Sequence, residues 1–157
     1  MVTVRTLTAD EWPLWRTLRL AALAEAPNAF ASTLAEWSGP ADTEARWRAR
    51  LASVPYNVVA HVDGEPAGMA SGTAPDGDGV ELISMWVAPH VRGRGVGDAL
   101  IDAVVDWGRR SGARHIALDV MSANVYALGL YERNGFRLCG EPAVDSRCER
   151  RLVRTLD

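Results

Sequence analysis

The residues best spaced for chemistry in this chain are Arg92-Gly93-Arg94-Gly95-Val96-Gly97, with Asp98 next. A strand-like run, Val80 to Val87, leads into them, and a long amphipathic pattern, Val96 to Arg110, leads out. A glycine-rich loop that opens a helix offers a row of backbone N–H groups and the positive end of the helix dipole, which suits a pyrophosphate. Gly93, Gly95 and Gly97 let the backbone come close to such a ligand. A second chemical residue is Glu81, an acid in the otherwise apolar strand that feeds the loop. Burial in that strand would raise its affinity for a proton.

The elements that must position these residues follow from pattern and punctuation. Thr3 to Leu7 reads as a short strand. Asp10 is the expected N-cap of a helix running to about Ala24, with Pro13 in its first turn, where proline is tolerated. Leu14, Leu18, Ala21 and Ala22 form its apolar face, and Glu25 to Asp42 is irregular. An Arg-rich helix is expected over Glu44 to Ala52. Tyr56 to Val62 and Ala67 to Thr73 read as strands joined by Asp63-Gly64, a strong hairpin signal. After the turn Pro75 to Gly79, Val80 to Val87 is apolar on both faces except at Glu81 and Ser84, which predicts a central strand. The helix after Gly95 should end near Gly112. His115 to Val120 is a strand, Val125 to Asn134 a helix stopped by Gly135, and 137–139 and 147–153 two closing strands. The order β-α-α-β-β-β-α-β-α-β-β predicts one mixed α/β domain over residues 1–157, without the strict alternation of a doubly wound sheet.

Composition narrows the function. With 48% hydrophobic and 24% charged residues, 157 residues suffice for one core. A net charge of −3 supplies no basic field for nucleic acid. All 17 basic residues are arginine, which excludes a lysine Schiff base and a Walker-type lysine. Cys139 and Cys148 make no disulfide framework and are expected to face each other across the closing hairpin. No stretch approaches membrane-spanning length and the N-terminus has no apolar signal core, so a cytoplasmic protein is the expectation. His61, His90 and His115 lack metal-ligand spacing. Asp76-Gly77-Asp78-Gly79 resembles a calcium-loop fragment, but Val87 stands where the bidentate acid belongs.

Three phosphate-loop readings compete. The P-loop fails for lack of lysine. The dinucleotide fingerprint needs Gly or Ala where Asp98 stands, and its loop normally sits in the first βα turn, although Asp119 follows at the end of the next strand. The third reading is Arg92-x-x-Gly95-x-Gly97, and here the sequence resembles the GCN5-related N-acetyltransferase superfamily. Met85-Trp86-Val87-Ala88-Pro89 is similar to that family's lead-in to its acetyl-CoA motif. Asn124, Ala127, Tyr131 and Gly135-Phe136 resemble its second block.

The resemblance implies a mostly antiparallel, splayed sheet flanked by helices, and acetyl-CoA as cosubstrate. It implies that backbone N–H groups from Gly93 through Arg94, Gly95 and Val96 to Gly97 cradle the pyrophosphate, with Arg92 and Arg94 adding charge. The pantetheine arm would pair with strand backbone near Met85 and Val87. The chemistry is direct acyl transfer to a primary amine. At neutral pH only about one alkyl amine in a thousand is unprotonated, so a base is required. Glu81 is the candidate base. Tyr131 matches the family's general acid, and Asn124 lies two helical turns away on the same face, able to look at the cofactor. Phe30 and Trp37 are candidate linings of the acceptor pocket. Trp12, Trp15, Trp47 and Trp107 sit in helical patterns and read as core. A homodimer is common in the superfamily, and the alternative to an enzyme is a non-catalytic acyl-CoA-binding module of the same fold.

Overall fold

A computed structural model describes residues 1–27, 32–121, 124–139 and 149–156. The strands are β1 (Val2–Thr6), β2 (Tyr56–Val62), β3 (Glu65–Gly72), β4 (Gly79–Val87), β5 (His115–Met121), β6 (Arg137–Leu138) and β7 (Glu149–Thr155). The helices are α1 (Trp12–Glu25), α2 (Glu44–Ser53), α3 (Val96–Arg110) and α4 (Val125–Arg133). The seven strands form one sheet in the order β1-β2-β3-β4-β5-β7-β6. Every neighbouring pair is antiparallel except β4 and β5. The mixed, mostly antiparallel sheet is the expected class.

Local chemistry explains most boundaries. Asp63 and Gly64 both take positive φ, at 49° and 87°, as a two-residue turn between twisted strands requires. The first helix starts differently from expectation. A single turn over Ala9–Glu11 precedes it, and the Glu11 carboxylate reaches back to the Thr8 N–H at 3.4 Å. Asp10 is therefore not the cap; it pairs with Arg48 of α2 at 2.7 Å.

The core lies between the sheet and its helices. Trp15, Trp47, Met69, Leu100, Ile101, Ile116, Phe136 and Leu152 are all fully buried. Helix α3 lays Val96, Leu100, Ile101, Val104 and Val105 onto the sheet, a stripe of helical period. Trp107 at its far end stacks on Tyr56, with centroids 5.1 Å apart and planes at 8°. Helices α1 and α2 are tied through Asp42, which accepts from Arg16 Nε at 2.8 Å and from Trp47 Nε1 at 2.7 Å. Cys139 is exposed, and its N–H bonds the Arg151 carbonyl at 2.9 Å; Cys148 lies outside the described residues.

Two interruptions in the sheet position the site. Strand β4 pairs with β5 only at Gly79–His115, Val80–Ile116 and Glu81–Ala117, after which the two diverge. On its other edge β4 carries a bulge. Met69 opposes Trp86 and Ser71 opposes Ile83, so Ala70 alone faces both Ser84 and Met85. Ser84 takes φ 55°, an uncommon left-handed conformation for a non-glycine residue.

Two stability measurements check this packing. A Cβ at Gly68 would lie 2.6 Å from the Trp86 carbonyl oxygen, which is backbone and cannot step aside. Gly68→Ala should destabilise the fold by about 1–3 kcal/mol, seen as a lower midpoint in urea; an unchanged midpoint would show that β3 and β4 separate freely. Asp42 is lowered to about 2, chiefly by its bond from Arg16 and then by Trp47. A depressed folded pKa contributes stability that is complete above the unfolded value near ~4 and is lost as pH falls toward the folded one. The gap in melting temperature between wild type and Asp42→Asn should therefore be widest above pH ~5 and close between pH ~4 and ~2. A gap constant over that window would exclude the carboxylate charge as its source.

Candidate active site

The divergence of β4 from β5 opens a gap in the sheet, and two cavities border it. On one side lies a cavity of about 390 Å³ bordered by Met85, Trp86, Val87, Arg92, Asn124, Tyr126 and Tyr131. On the other lies one of about 420 Å³ bordered by Trp15, Arg19, Trp37, Trp47, Arg50, Glu81, Ser84, Met85, Asp119, Asn124 and Tyr131. Met85, Met121, Asn124, Ala127 and Tyr131 border both, so the cavities meet at the gap.

The loop beside the first cavity presents a row of backbone N–H groups. Gly93 and Gly95 both have φ 84°, which turns the chain into α3 without strain. Ala99 N–H is the first to close onto the helix, at 3.0 Å from the Gly95 carbonyl. The preceding N–H groups of the first turn thus have no intrahelical acceptor and carry the positive end of the dipole. Val96 contributes only its backbone, because its side chain is in the core. Gly97 is needed for packing: a Cβ would lie 2.7 Å from Leu130 Cδ2 of α4. Asp98 turns away to α4, accepting from Asn134 Nδ2 at 2.8 Å and from Arg133 at 3.3 Å. Those bonds, the one from Asn134 foremost, lower its pKa.

The two loop arginines differ. Arg94 is exposed. Arg92 folds back, with Nε donating to the Val87 carbonyl at 3.1 Å and Nη2 lying 3.3 Å from Glu25. Its guanidinium also lies over the Tyr126 ring, 5.4 Å from the centroid. Glu25 in turn accepts from Trp86 Nε1 at 3.0 Å, which fixes the cavity wall.

Helix α4 brings Asn124 and Tyr131 to the junction, as their spacing on one face predicts. Asn124 caps the helix, its Oδ1 accepting from Ala127 N–H at 3.2 Å. Tyr131 is 7% exposed and lies edge-on to Phe136, with centroids 5.9 Å apart. Burial, and secondarily Tyr126, push the phenol pKa up, which keeps it protonated at neutral pH.

Glu81 faces the second cavity, but its surroundings correct the expectation of an apolar site. Its carboxylate is 43% exposed and accepts from Arg151 Nη2 at 2.7 Å. Arg151 also binds Asp119 on β5 at 3.1 Å. Glu81, at the end of the β4–β5 pairing, and Asp119, two residues past it on β5, thus form an ion-paired rim with Arg151. Trp37 borders the second cavity, packed on Trp47 with centroids 4.6 Å apart and covered by Arg46 at 3.8 Å. Phe30 lies outside the described residues.

Among the residues of this second cavity that were not anticipated as site residues are Trp15, Trp47, Arg19 and Arg50. The tryptophans do belong to the core, but one face of each also borders the cavity. The arginines had a readable signal. Arg19 shares the apolar stripe of Trp15, Leu18, Ala22 and Leu23, and Arg50 stands beside Trp47 and Leu51. A cation in a buried stripe needs a reason. His90 is exposed, and no cluster of three or more His, Cys, Asp or Glu suited to a metal ion occurs among the described residues. No helix among them is long and apolar enough to cross a membrane.

The sequence and the fold have counterparts among known proteins. Streptothricin acetyltransferase from Streptomyces lavendulae is 34% identical over 84 residues, 53% of this chain and 44% of that protein. The chain thus spans less than half the length of that relative. The L-methionine sulfoximine/L-methionine sulfone acetyltransferase of Pseudomonas aeruginosa is 29% identical over 140 residues, 82% of this chain and 80% of that one. Among solved structures, the PaiA N-acetyltransferase from Thermoplasma acidophilum, in complex with coenzyme A, superposes with a TM-score of 0.77. It is 13% identical and covers 99% of both chains, a likeness of fold. The family described as the acetyltransferase (GNAT) family matches residues 14–136, which include the loop, the gap between β4 and β5, and the Asn124–Phe136 block. The chain belongs to the acetyltransferase (GNAT) family.

Proposed function

We propose that the protein is an N-acetyltransferase that moves an acetyl group from acetyl-CoA to a primary amine, directly and within a ternary complex. The observation that carries this reading is the meeting of two cavities at the β4–β5 gap, with Tyr131 bordering both. Donor and acceptor can each occupy one cavity and react where the two join. The coenzyme A held by a protein of the same fold supports the donor. The small-molecule amines in the names of the two relatives support an acceptor of that kind.

On the donor side, the N–H groups from Gly93 to Gly97 hold the pyrophosphate. Arg94 adds charge from solvent, while Arg92 shapes the cavity through Glu25. The edge of β4 beyond Glu81, at Met85 and Val87, accepts the pantetheine arm in place of the strand that β5 no longer supplies. Asn124 orients the start of α4 against it. On the acceptor side, Trp37 borders the amine pocket.

The transfer forms a C–N bond and breaks the thioester C–S bond. Glu81, through water in the open rim, takes the proton that the attacking ammonium must lose. Tyr131 supplies the proton that the departing thiolate gains, and its buried phenol is in the protonated form for that task.

Release of CoA, followed by thiol detection against a panel of amines, tests the proposal. Tight acetyl-CoA binding with no turnover on any amine would overturn it in favour of a binding module. Tyr131→Phe should lower turnover by roughly 10²-fold at saturating substrate while acetyl-CoA still binds; unchanged turnover with chemistry rate-limiting removes Tyr131 from the acid role. Glu81→Gln should lower kcat at neutral pH by about 10- to 100-fold, and an unaltered kcat assigns the proton to another acceptor.

A further inference from the structure

The stretch of β4 where the two cavities meet has lost the usual supports of a strand. Past Glu81 it has no partner on β5. On its other edge the bulge sets Ser84 and Met85 against Ala70 alone, so the ladder to β3 is broken there as well. Ser84 also takes φ 55°, which residues with a Cβ disfavour. A backbone in such a conformation persists only where its surroundings hold it.

Arg50 supplies that hold. Its Nη2 donates to Ser84 Oγ at 3.0 Å and to Ser71 Oγ at 3.2 Å, and its Nη1 donates to Asn57 Oδ1 at 3.1 Å. These acceptors lie on β4, β3 and β2, so one planar guanidinium spans three neighbouring strands. The anchor is itself fixed. Asn57 and Ser71 are buried opposite each other in the ladder, and Ser71 Oγ donates to Asn57 Oδ1 at 2.7 Å. Asn57 Nδ2 donates to the Leu51 and Val54 carbonyls at the end of α2, at 3.2 and 2.8 Å. The buried amide is thus bonded at both ends, and a satisfied polar network specifies one geometry. Glycine would adopt φ 55° freely, yet serine stands there, and its hydroxyl is what Arg50 grips.

Met85, next to Ser84, borders both cavities. A shift of the bulge would move the strand edge beside which the thioester must lie. The glycine-rich loop, beyond Val87, would keep its place. Building on the acetyltransferase reading, we infer that Arg50 is a positioning residue for the transfer: through Ser84 Oγ it fixes the β4 bulge, and so holds the thioester where the amine attacks. It acts through the strand and contacts neither substrate.

Steady-state CoA release with an accepted amine, paired with acetyl-CoA binding by thermal shift, tests this in four variants. Misplacing reacting groups by about an ångström costs up to ~10²-fold in rate. Arg50→Gln is expected to lower kcat by roughly 10- to 100-fold, and Ser84→Ala and Ser84→Gly by about 10-fold each. Acetyl-CoA binding and KM for the amine stay at their wild-type values, the pattern of a loss confined to the transition state. Arg50→Lys recovers part of kcat, because an ammonium keeps the donors but not the fork that spans three strands. Ser84→Gly separates positioning from folding, since it accepts φ 55° and loses only the grip of Arg50. Wild-type kcat in both Ser84 variants overturns the inference and leaves the acetyltransferase reading standing. So does an Arg50→Gln enzyme with raised amine KM and intact kcat, which would make Arg50 a contact of the acceptor. If Arg50→Gln fails to fold, the Ser84 variants decide. A wild-type protein that releases no CoA with any amine overturns both readings.

Discussion

The site depends on the three-residue pairing of β4 with β5. Parallel pairing at Gly79, Val80 and Glu81 holds the two halves of the sheet together, and its end at Ala117 lets them part. Backbone groups along a strand must find partners, and a strand that loses its neighbour within a fold offers a ready edge to a ligand. Each half is secure by itself. Strands β1 to β4 form one antiparallel meander, and β5 is paired along its full length with β7. The opening is therefore held by rigid elements on both sides.

The other devices around the gap serve its geometry. The bulge at Ser84 sets two residues of β4 against one of β3 and bends the strand where the cavities meet. Arg50 straps that bulge to β2 and β3 through Asn57 and Ser71. Helix α4 enters from the far side, with Asn124 as its cap and Tyr131 at the junction. Its position is set by α3, through Leu130 packed on Gly97 and through Asp98 bound to Arg133 and Asn134. The glycine-rich loop and the helix that carries the phenol are thus one packed unit. A displacement at the donor loop would be felt at Tyr131.

Legibility varied with the range of the interaction. The Asp63-Gly64 turn, the start of α3 after Gly95 and the partnership of Asn124 with Tyr131 rest on local φ/ψ or helical period, and each was read correctly from a few neighbouring residues. The start of α1 was misassigned, because Thr8 and Glu11 outcompeted Asp10, which instead found Arg48 thirty-eight positions on. Glu81 looked like a buried acid because its neighbours in sequence are apolar. Its partner, Arg151, is seventy positions away on β7, which is not paired with β4 because β5 lies between them. Trp15 and Trp47 were read as core, and they are core. Which face of a core residue borders a cavity is a property of packing and leaves no mark on periodicity.

By itself, the sequence determined the class of fold, the glycine-rich turn into α3 and the two blocks that resemble acetyltransferases, because each is encoded in contiguous residues with fixed spacing. It also determined that any positive charge in the site is arginine, with its preference for planar anions. Only the tertiary structure decided where β4 leaves β5, and so where two cavities meet. Only it brought Arg19 from α1 and Arg50 from α2 to one cavity with the rim carboxylates on β4 and β5. Strand divergence and the summed field of distant charges depend on how elements pack across tens of residues, which no local pattern records.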